Sequence, residues 1–379
     1  MCPHKVQSHN QANGITIVGS CGIEEIFISS SSNGDHDIST IALSERTFGG
    51  AGLCLALAYS RVGSKSPIYF DSVVGSHMSG CDCDGERVHE YLMGQKLADV
   101  YLQSPKGVVT EKNMIVLKNS RRYGYRLVNQ ENKIARRSFD PHNSCLLEHF
   151  QKSHSVIVTS FSPEMAVVIF ENFARSLRKS GPQKICMCYT LNSEIASELH
   201  DNRQLQEELS KHINVMCMSE EELKILGGKE SLMYATIPII LVTKGDKGSV
   251  IVDNTGGKSE HIVAKAFHVK KSMNDNGAGE AAHAAFIHTL ICFKQSPLWK
   301  TQSLRRMLEI SGYVANVAGA LKIQAKRSLD FRCNLDYEIA LSQCVNTSMK
   351  PHVIGKHILN KYVKDNESHN YHFELTTHQ

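Results

Sequence analysis

Between Asn274 and Glu280 the chain reads Asn-Asp-Asn-Gly-Ala-Gly-Glu and runs straight into the small-residue stretch AAHAAFIHTL. Glycines at a helix start leave backbone N–H groups open and let an anion approach closely, and the helix dipole adds attraction. Gly277, Ala278 and Gly279 are therefore candidates for a cradle that holds a phosphate or an oxyanion. Glu280, the next residue, is a candidate base for the proton of an attacking hydroxyl. A purely structural reading covers the same residues, with Gly277 as helix cap and Glu280 as the third-position glutamate of a capping arrangement. Gly277-x-Gly279-x-x-Ala282 also fits a dinucleotide fingerprint, but that motif needs an acidic residue about twenty positions later, where this chain reads PLWKTQ. Gly257-Lys258-Ser259 ends like a P-loop, yet Val252 stands where the first glycine is required.

The elements that must carry this turn follow from apolar periodicity. A buried strand is expected at Ile15–Gly19, a second apolar stretch at Ile26–Ile28 and turn chemistry over Ser29–Asp37. Phe48–Gly63 reads as a helix opened by two glycines and closed by Gly63. Pro67–Val74 reads as a strand, and Lys112–Lys118 with Tyr123–Asn129 as a hairpin. From Val156 onward strands and helices alternate. Strands are expected at Val156–Thr159, Ile185–Tyr189, Ile213–Met216, Ile239–Thr243 and Ser249–Asp253, and helices at Pro163–Lys179, Ser193–Leu209, Ser219–Leu226, Gly277–Phe293 and Leu304–Ile323. Such alternation implies parallel βαβ units, with helices on both faces of one open sheet. The histidine-dotted last forty residues or so are expected to be loosely ordered.

The Asn274–Glu280 turn resembles the second signature of the ribokinase-like (PfkB) family of carbohydrate and nucleoside kinases, D-T-x-G-A-G-D. Further likenesses arrive in the family's order between about Ile15 and Gln324. Gly19-Ser20 with Glu24 resembles G-x-x-x-x-D, Gly49-Gly50-Ala51-Gly52 resembles the G-G-x-G loop, and Val74-Gly75 the start of V-G-x-D-x-x-G. Ser219 to Glu222 is similar to N-x-x-E, and Thr243 to Gly248 to T-x-G-x-x-G. The chain departs from the pattern at Glu24 and Glu280, each in place of aspartate, at Cys54 and Ser219, each in place of asparagine, and after Gly75, where Ser76-His77 brings no aspartate.

The resemblance implies a three-layer αβα sandwich with a small β-sheet lid. The kinase domain would span 13–340, with lid parts about 26–46 and 108–127, after a disordered 1–12 and before a polar extension, 341–379. It implies ATP and Mg²⁺ as cofactors and a sugar or nucleoside as acceptor. In those roles Glu280 is the base, with Gly277, Ala278 and Gly279 as anion hole. Glu24, Gly49, Gly50 and Cys54 face the acceptor. Thr243, Lys244, Gly245, Lys247, Gly248 and Asn316 contact the nucleotide, and Glu222 acts on the metal. The reaction implied is transfer of the γ-phosphoryl group to a hydroxyl. The alternative is a catalytically weak or inactive nucleotide-binding or regulatory protein of the same fold, and a homodimer paired through the lid is a further expectation.

Composition agrees with a packed core, at 41% hydrophobic and 21% charged residues. The net charge of +4 is scattered over short pairs such as Arg136-Arg137, which argues against nucleic acid as a partner. The N-terminus lacks the apolar stretch of a signal peptide and no window has the length of a membrane-spanning helix, so a cytoplasmic location is expected. The twelve cysteines read as reduced thiols, and Cys81-x-Cys83 and Cys186-x-Cys188 lack the paired-knuckle spacing of a zinc site.

Overall fold

The computed structural model describes residues 13–29, 41–77, 80–118, 121–123, 130–180, 186–267, 275–296, 303–325, 329 and 349–365. Most of the turn expected at Ser29–Asp37, all but Tyr123 of the strand expected at Tyr123–Asn129, Asn274, and both chain ends lie outside these residues.

The strands in chain order are β1 (Gly14–Val18), β2 (Gly22–Ser29), β3 (Ile41–Gly49), β4 (Ile68–Val73), β5 (Ser76–His77), β6 (Gly80–Cys81), β7 (Asp99–Gln103) and β8 (Glu111–Lys118). They continue with β9 (Arg121–Tyr123), β10 (Ser153–Thr159), β11 (Cys186–Thr190), β12 (Val215–Ser219), β13 (Ile239–Thr243), β14 (Ser249–Asp253) and β15 (Glu260–Ala264). The helices are α1 (Ala51–Arg61), α2 (Cys83–Met93), α3 (Gln130–Arg137), α4 (Ser144–Gln151), α5 (Pro163–Ser180) and α6 (Ser193–His200). After these come α7 (Arg203–Ser210), α8 (Glu220–Ile225), α9 (Leu232–Thr236), α10 (Ala278–Gln295), α11 (Leu304–Lys322) and α12 (Pro351–Asp365).

Nine strands form one sheet in the order β15-β14-β13-β12-β11-β10-β1-β4-β7. Neighbours from β13 through β7 are parallel, and β14 and β15 add an antiparallel edge. Strands buried on both faces read as continuous apolar or small runs, as GITIV and SHSVIVT do here. Alternate side chains feed two cores. Ile15, Ile17, Ile157 and Leu241 join α1, α10 and α11 on one face. Val18, Val156, Val158 and Val242 join α4, α5 and α6 on the other. The expected three layers are present, together with a separate four-stranded sheet in the order β3-β2-β8-β9. Among the described residues, no helix is long and apolar enough to cross a membrane.

Four differences from the sequence expectations have physical causes. The helix expected over Ser193–Leu209 breaks into α6 and α7, because the Asn202 side chain accepts the Leu205 N–H at 3.0 Å and caps a new helix. The stretch between Val74 and Lys112, for which no element is expected, holds the β5–β6 hairpin, α2 and β7. The D-x-x-G spacing that is absent directly after Gly75 occurs at Asp82-x-x-Gly85, beyond the β5–β6 hairpin. Asp82 caps α2 through the Gly85 N–H at 2.6 Å and accepts the Thr110 N–H at 2.8 Å and the Thr110 hydroxyl. Burial alone would raise the Asp82 pKa, but these hydrogen bonds and the Lys112 charge bring it below the ordinary value. Finally, part of the polar tail is the ordered helix α12. Its Ile354, Ile358 and Leu359 are fully buried, and α12 packs on α11.

On the inner face of α4, His149 pairs in the core with Asp71, whose own carboxyl burial pushes above the ordinary value. His149 Nδ1 lies 2.8 Å from Asp71 Oδ2 and His149 Nε2 lies 3.3 Å from Asp99 Oδ2, with Asp71 fully buried. Burial opposes the imidazolium, but the bond to Asp71 and the charges of Asp71 and Asp99 outweigh it and raise the His149 pKa. The stability this shift contributes is full below the ordinary histidine value of 6.5 and is lost as pH rises through the raised folded value. His149→Leu strands the Asp71 carboxylate, and urea unfolding near neutral pH should show a loss of about 3–5 kcal/mol. A loss under about 1 kcal/mol would mean that the pair contributes nothing beyond a surface contact.

Candidate active site

The carboxyl ends of parallel strands, where loops and helix starts converge, are the usual ligand position in an open α/β sheet. Here they border a cavity of about 680 Å³. Its walls include Thr159 and Ser160 at the end of β10, Thr190 to Asn192 at the end of β11, Ser219 at the end of β12 and Thr243 at the end of β13. The start of α1 contributes Gly50, Ala51 and Cys54, the small sheet contributes Glu24 and Asn113, and the turn before α10 contributes Asp275, Asn276, Gly277, Gly279 and Glu280.

Glu24 joins three of these elements. Only 6% exposed, its carboxylate accepts the Gly50 N–H at 3.3 Å and the Asn276 side-chain amide at 3.1 Å. Gly49 makes room for it, because a Cβ at position 49 would overlap that carboxylate. The expectation that Gly49 faces the acceptor becomes a position directly behind Glu24, outside the cavity lining.

At α10 the cap is Gly277 in the left-handed region, φ 81, with no side-chain cap hydrogen bond. Its conformation suits glycine and keeps the backbone at the helix mouth uncovered. The Ala278 N–H donates to the Asp275 carbonyl at 3.2 Å, so this expected anion donor is used inside the turn, and Ala278 is not in the lining. Gly277, Gly279 and Glu280 are.

Glu222 is the acidic half of a capping box. The Ser219 hydroxyl accepts the Glu222 N–H at 3.2 Å, and the Glu222 carboxylate accepts the Ser219 N–H at 2.6 Å. Serine at 219 therefore has its own local purpose. Burial pushes the Glu222 carboxyl up to about 7; its bonds to Ser219 work the other way and the charge of Glu280 adds to the rise. Six carboxylates border the cavity, from Glu24, Glu194, Glu221, Glu222, Asp275 and Glu280, and among the described residues no lysine or arginine lines it. These acids do not form a ready-made metal cluster: among the described residues, the ligand atoms of Glu171, Glu208 and His212, outside this cavity, are the ones that lie close enough together to hold an ion.

The remaining expected nucleotide residues lie outside the cavity lining. Lys244 pairs with Glu220 at 3.0 Å, and the Lys244 N–H donates to the Gly248 carbonyl at 2.7 Å, closing the loop after β13. Asn316 donates its amide to the Ala264 and Lys265 carbonyls at 2.8 and 3.0 Å, holding the end of β15. Sequence reasoning missed Asn113, Ser160, Asn192, Glu194 and His283. These residues carry no motif and reach the cavity only through strand pairing and helix facing.

Beside Asn113 the small sheet is tied to the main body by Arg136 on α3. Its guanidinium grips Glu111 on β8 at 2.6 and 3.0 Å and reaches Glu194 on α6 at 3.4 Å. Lys133 pairs with the same Glu194 at 2.9 Å.

A model of the pfkB family of carbohydrate kinases matches residues 13–330. No curated protein matches by sequence. Among solved structures, the fold is similar to ribokinase from Giardia lamblia, with TM-score 0.64 and 16% identity over 88% of this chain and 99% of that one. It is similar to Arabidopsis thaliana ribokinase complexed with ribose and ATP, with TM-score 0.60 and 17% identity over 89% and 100%. It is also similar to a Burkholderia thailandensis nucleoside kinase in complex with inosine, with TM-score 0.59 and 12% identity over 88% and 99%.

The Glu222 geometry gives a pH test. Because its folded pKa lies above the ordinary 4.5, its contribution to stability is present below 4.5 and is lost as pH rises through about 7. Glu222→Gln keeps an oxygen for the Ser219 N–H but cannot ionise. The variant should gain on the parent in urea unfolding between pH 5 and 8, whereas a pH-independent difference would show that Glu222 is solvated like a surface acid.

Proposed function

The chain belongs to the pfkB family of carbohydrate kinases, and from that premise we propose that it transfers the γ-phosphoryl group of ATP to a hydroxyl of a sugar or nucleoside. The observation that carries the reading is that Glu24, Glu280 and the Gly277 turn, far apart in sequence, border one cavity.

Phosphoryl transfer asks chiefly for positioning and for charge stabilisation. Glu280 accepts the proton of the acceptor hydroxyl from its place in the first turn of α10, where the helix dipole favours a carboxylate. The open backbone at Gly277 and Gly279 receives the charge that develops on the transferred group. Magnesium would neutralise phosphate charge, and Glu222, whose carboxylate borders the cavity, is the residue that would act on it together with the phosphate oxygens. Thr243 borders the cavity, and from it the loop to Gly248 receives the rest of the nucleotide. The acceptor lies between Glu24, Gly50 and Cys54. The small sheet acts as a lid over it, excluding water and so suppressing ATP hydrolysis. Strands β3 and β9, at the two edges of that sheet, offer the pairing surface for a homodimer.

The test is transfer from γ-labelled ATP to a panel of sugars and nucleosides, run on the parent chain and two variants. Glu280→Gln should lower turnover by about 10²–10⁴-fold, the usual worth of a general base, with ATP affinity nearly unchanged. Glu280→Asp, which shortens the reach by one methylene, should lower it as well. An aspartate variant faster than the parent would mark a weakened site and favour a regulatory role. Turnover unaffected by either change would remove Glu280 from the chemistry.

A further inference from the structure

Away from the cavity, Glu171 on α5, Glu208 on α7 and His212 just beyond α7 each bring a ligand atom within 4.8 Å of the others. The place is at the opposite end of the sheet, because His212 leads into the amino end of β12 whereas the cavity borders the carboxyl ends. Glu208 and His212 stand four apart. The backbone stays helical past the end of α7, since the His212 and Ile213 N–H groups donate to the Leu209 carbonyl at 3.0 and 3.2 Å, and the two side chains therefore share a face. Leu209 and Ile213 beside them, and Phe170 and Phe173 beside Glu171, are buried in one core. Packing thus fixes both backbones that carry the three groups.

The spacing suits a shared ion better than a direct bond. His212 Nε2 lies 3.6 Å from Glu208 Oε1, too long for a hydrogen bond, and Nε2 has no hydrogen-bond partner among the described residues. Two ligand atoms on one tetrahedral zinc ion, each about 2.0–2.1 Å from the metal, stand about 3.3–3.4 Å apart. A small rotation of the Glu208 side chain closes the difference. The outer partners are in place as well: Lys211 Nζ donates to Glu208 Oε2 at 2.8 Å and Arg175 Nη2 to Glu171 Oε2 at 2.6 Å. Each carboxylate keeps Oε1 without a hydrogen bond among the described residues, and outer contacts of this kind orient metal-binding carboxylates. Both glutamates are partly exposed, so an ion enters from solvent between them and bonds the more enclosed imidazole nitrogen at a shorter distance than water approaches it.

We propose that Glu171, Glu208 and His212 bind one zinc ion, with water as the fourth ligand, and that the ion clips α5 to the end of α7. The ligand set names the metal, because an imidazole nitrogen favours zinc over magnesium and calcium, which take oxygen ligands. The clip is independent of the kinase reading, since none of its three residues borders the cavity.

Zinc titration of the intact chain, stripped of metal with a chelator and followed by calorimetry and thermal melting, tests it, with magnesium at the same concentrations as the comparison. The parent should bind zinc, and its melting temperature should rise with zinc concentration by mass action. His212→Gln and Glu171→Gln should each lose one equivalent of zinc and the melting shift that goes with it, while melting like the parent in the absence of metal. Should His212→Gln melt lower without metal, Glu171→Gln, at a partly exposed position, carries the same test. Equal zinc uptake by the parent and both variants would place the bound zinc elsewhere and overturn the inference. No zinc binding by the parent, or magnesium raising its melting temperature as zinc does, would overturn it too. Each of these outcomes leaves the reading of the cavity untouched.

Discussion

A buried carboxylate must have partners or it will not stay charged, and Glu24 finds them in two elements that sequence places far from it. The Gly50 N–H at the mouth of α1 and the Asn276 amide before α10 both donate to it. That requirement couples the small sheet, which carries Glu24 on β2, to both helix starts that border the cavity. It also dictates glycine at 49, because any side chain there would take the space of the carboxylate. The longer glutamate, in place of aspartate, fits this arrangement since its extra methylene spans the gap that Gly49 leaves open.

The electrostatics of the cavity follow from what surrounds that node. Acidic groups gather around the Gly277 turn while, among the described residues, several nearby basic side chains pair elsewhere: Lys244 with Glu220, Lys133 with Glu194, and Arg136 with Glu111 and Glu194. The Arg136 network also ties the small sheet to the main body, since Glu111 on β8 is nearly fully buried and held by two of the three guanidinium nitrogens while the third reaches Glu194.

The alternation of apolar strands and helices was legible in the sequence because period and burial coincide: Ile239–Thr243 and Ser249–Asp253 appear where their apolar runs place them. The glycine turn was legible because its purpose is in the backbone, which glycines advertise. What could not be read depended on contacts across the sheet. The Thr110 contacts of Asp82 lie beyond a hairpin that separates it from Gly75. The α6–α7 break turned on whether Asn202 would cap a helix or ride within one. Helix α12 was masked by its histidines and lysines, although Ile354 and Ile358 stand four apart on one face. Asn113, Ser160 and His283 had no signature at all, because a place in the cavity wall is a property of packing and has no trace in residue order.

The central claim is that the Thr243 loop and the Gly277 turn form the two halves of one nucleotide site. Amide hydrogen exchange on the intact chain, with and without magnesium ATP, tests it most directly. The account predicts that protection rises together in peptides covering Thr243–Gly248 and Asp275–Glu280. Unchanged exchange in both segments at saturating ATP, or protection confined to other parts of the chain, would contradict it.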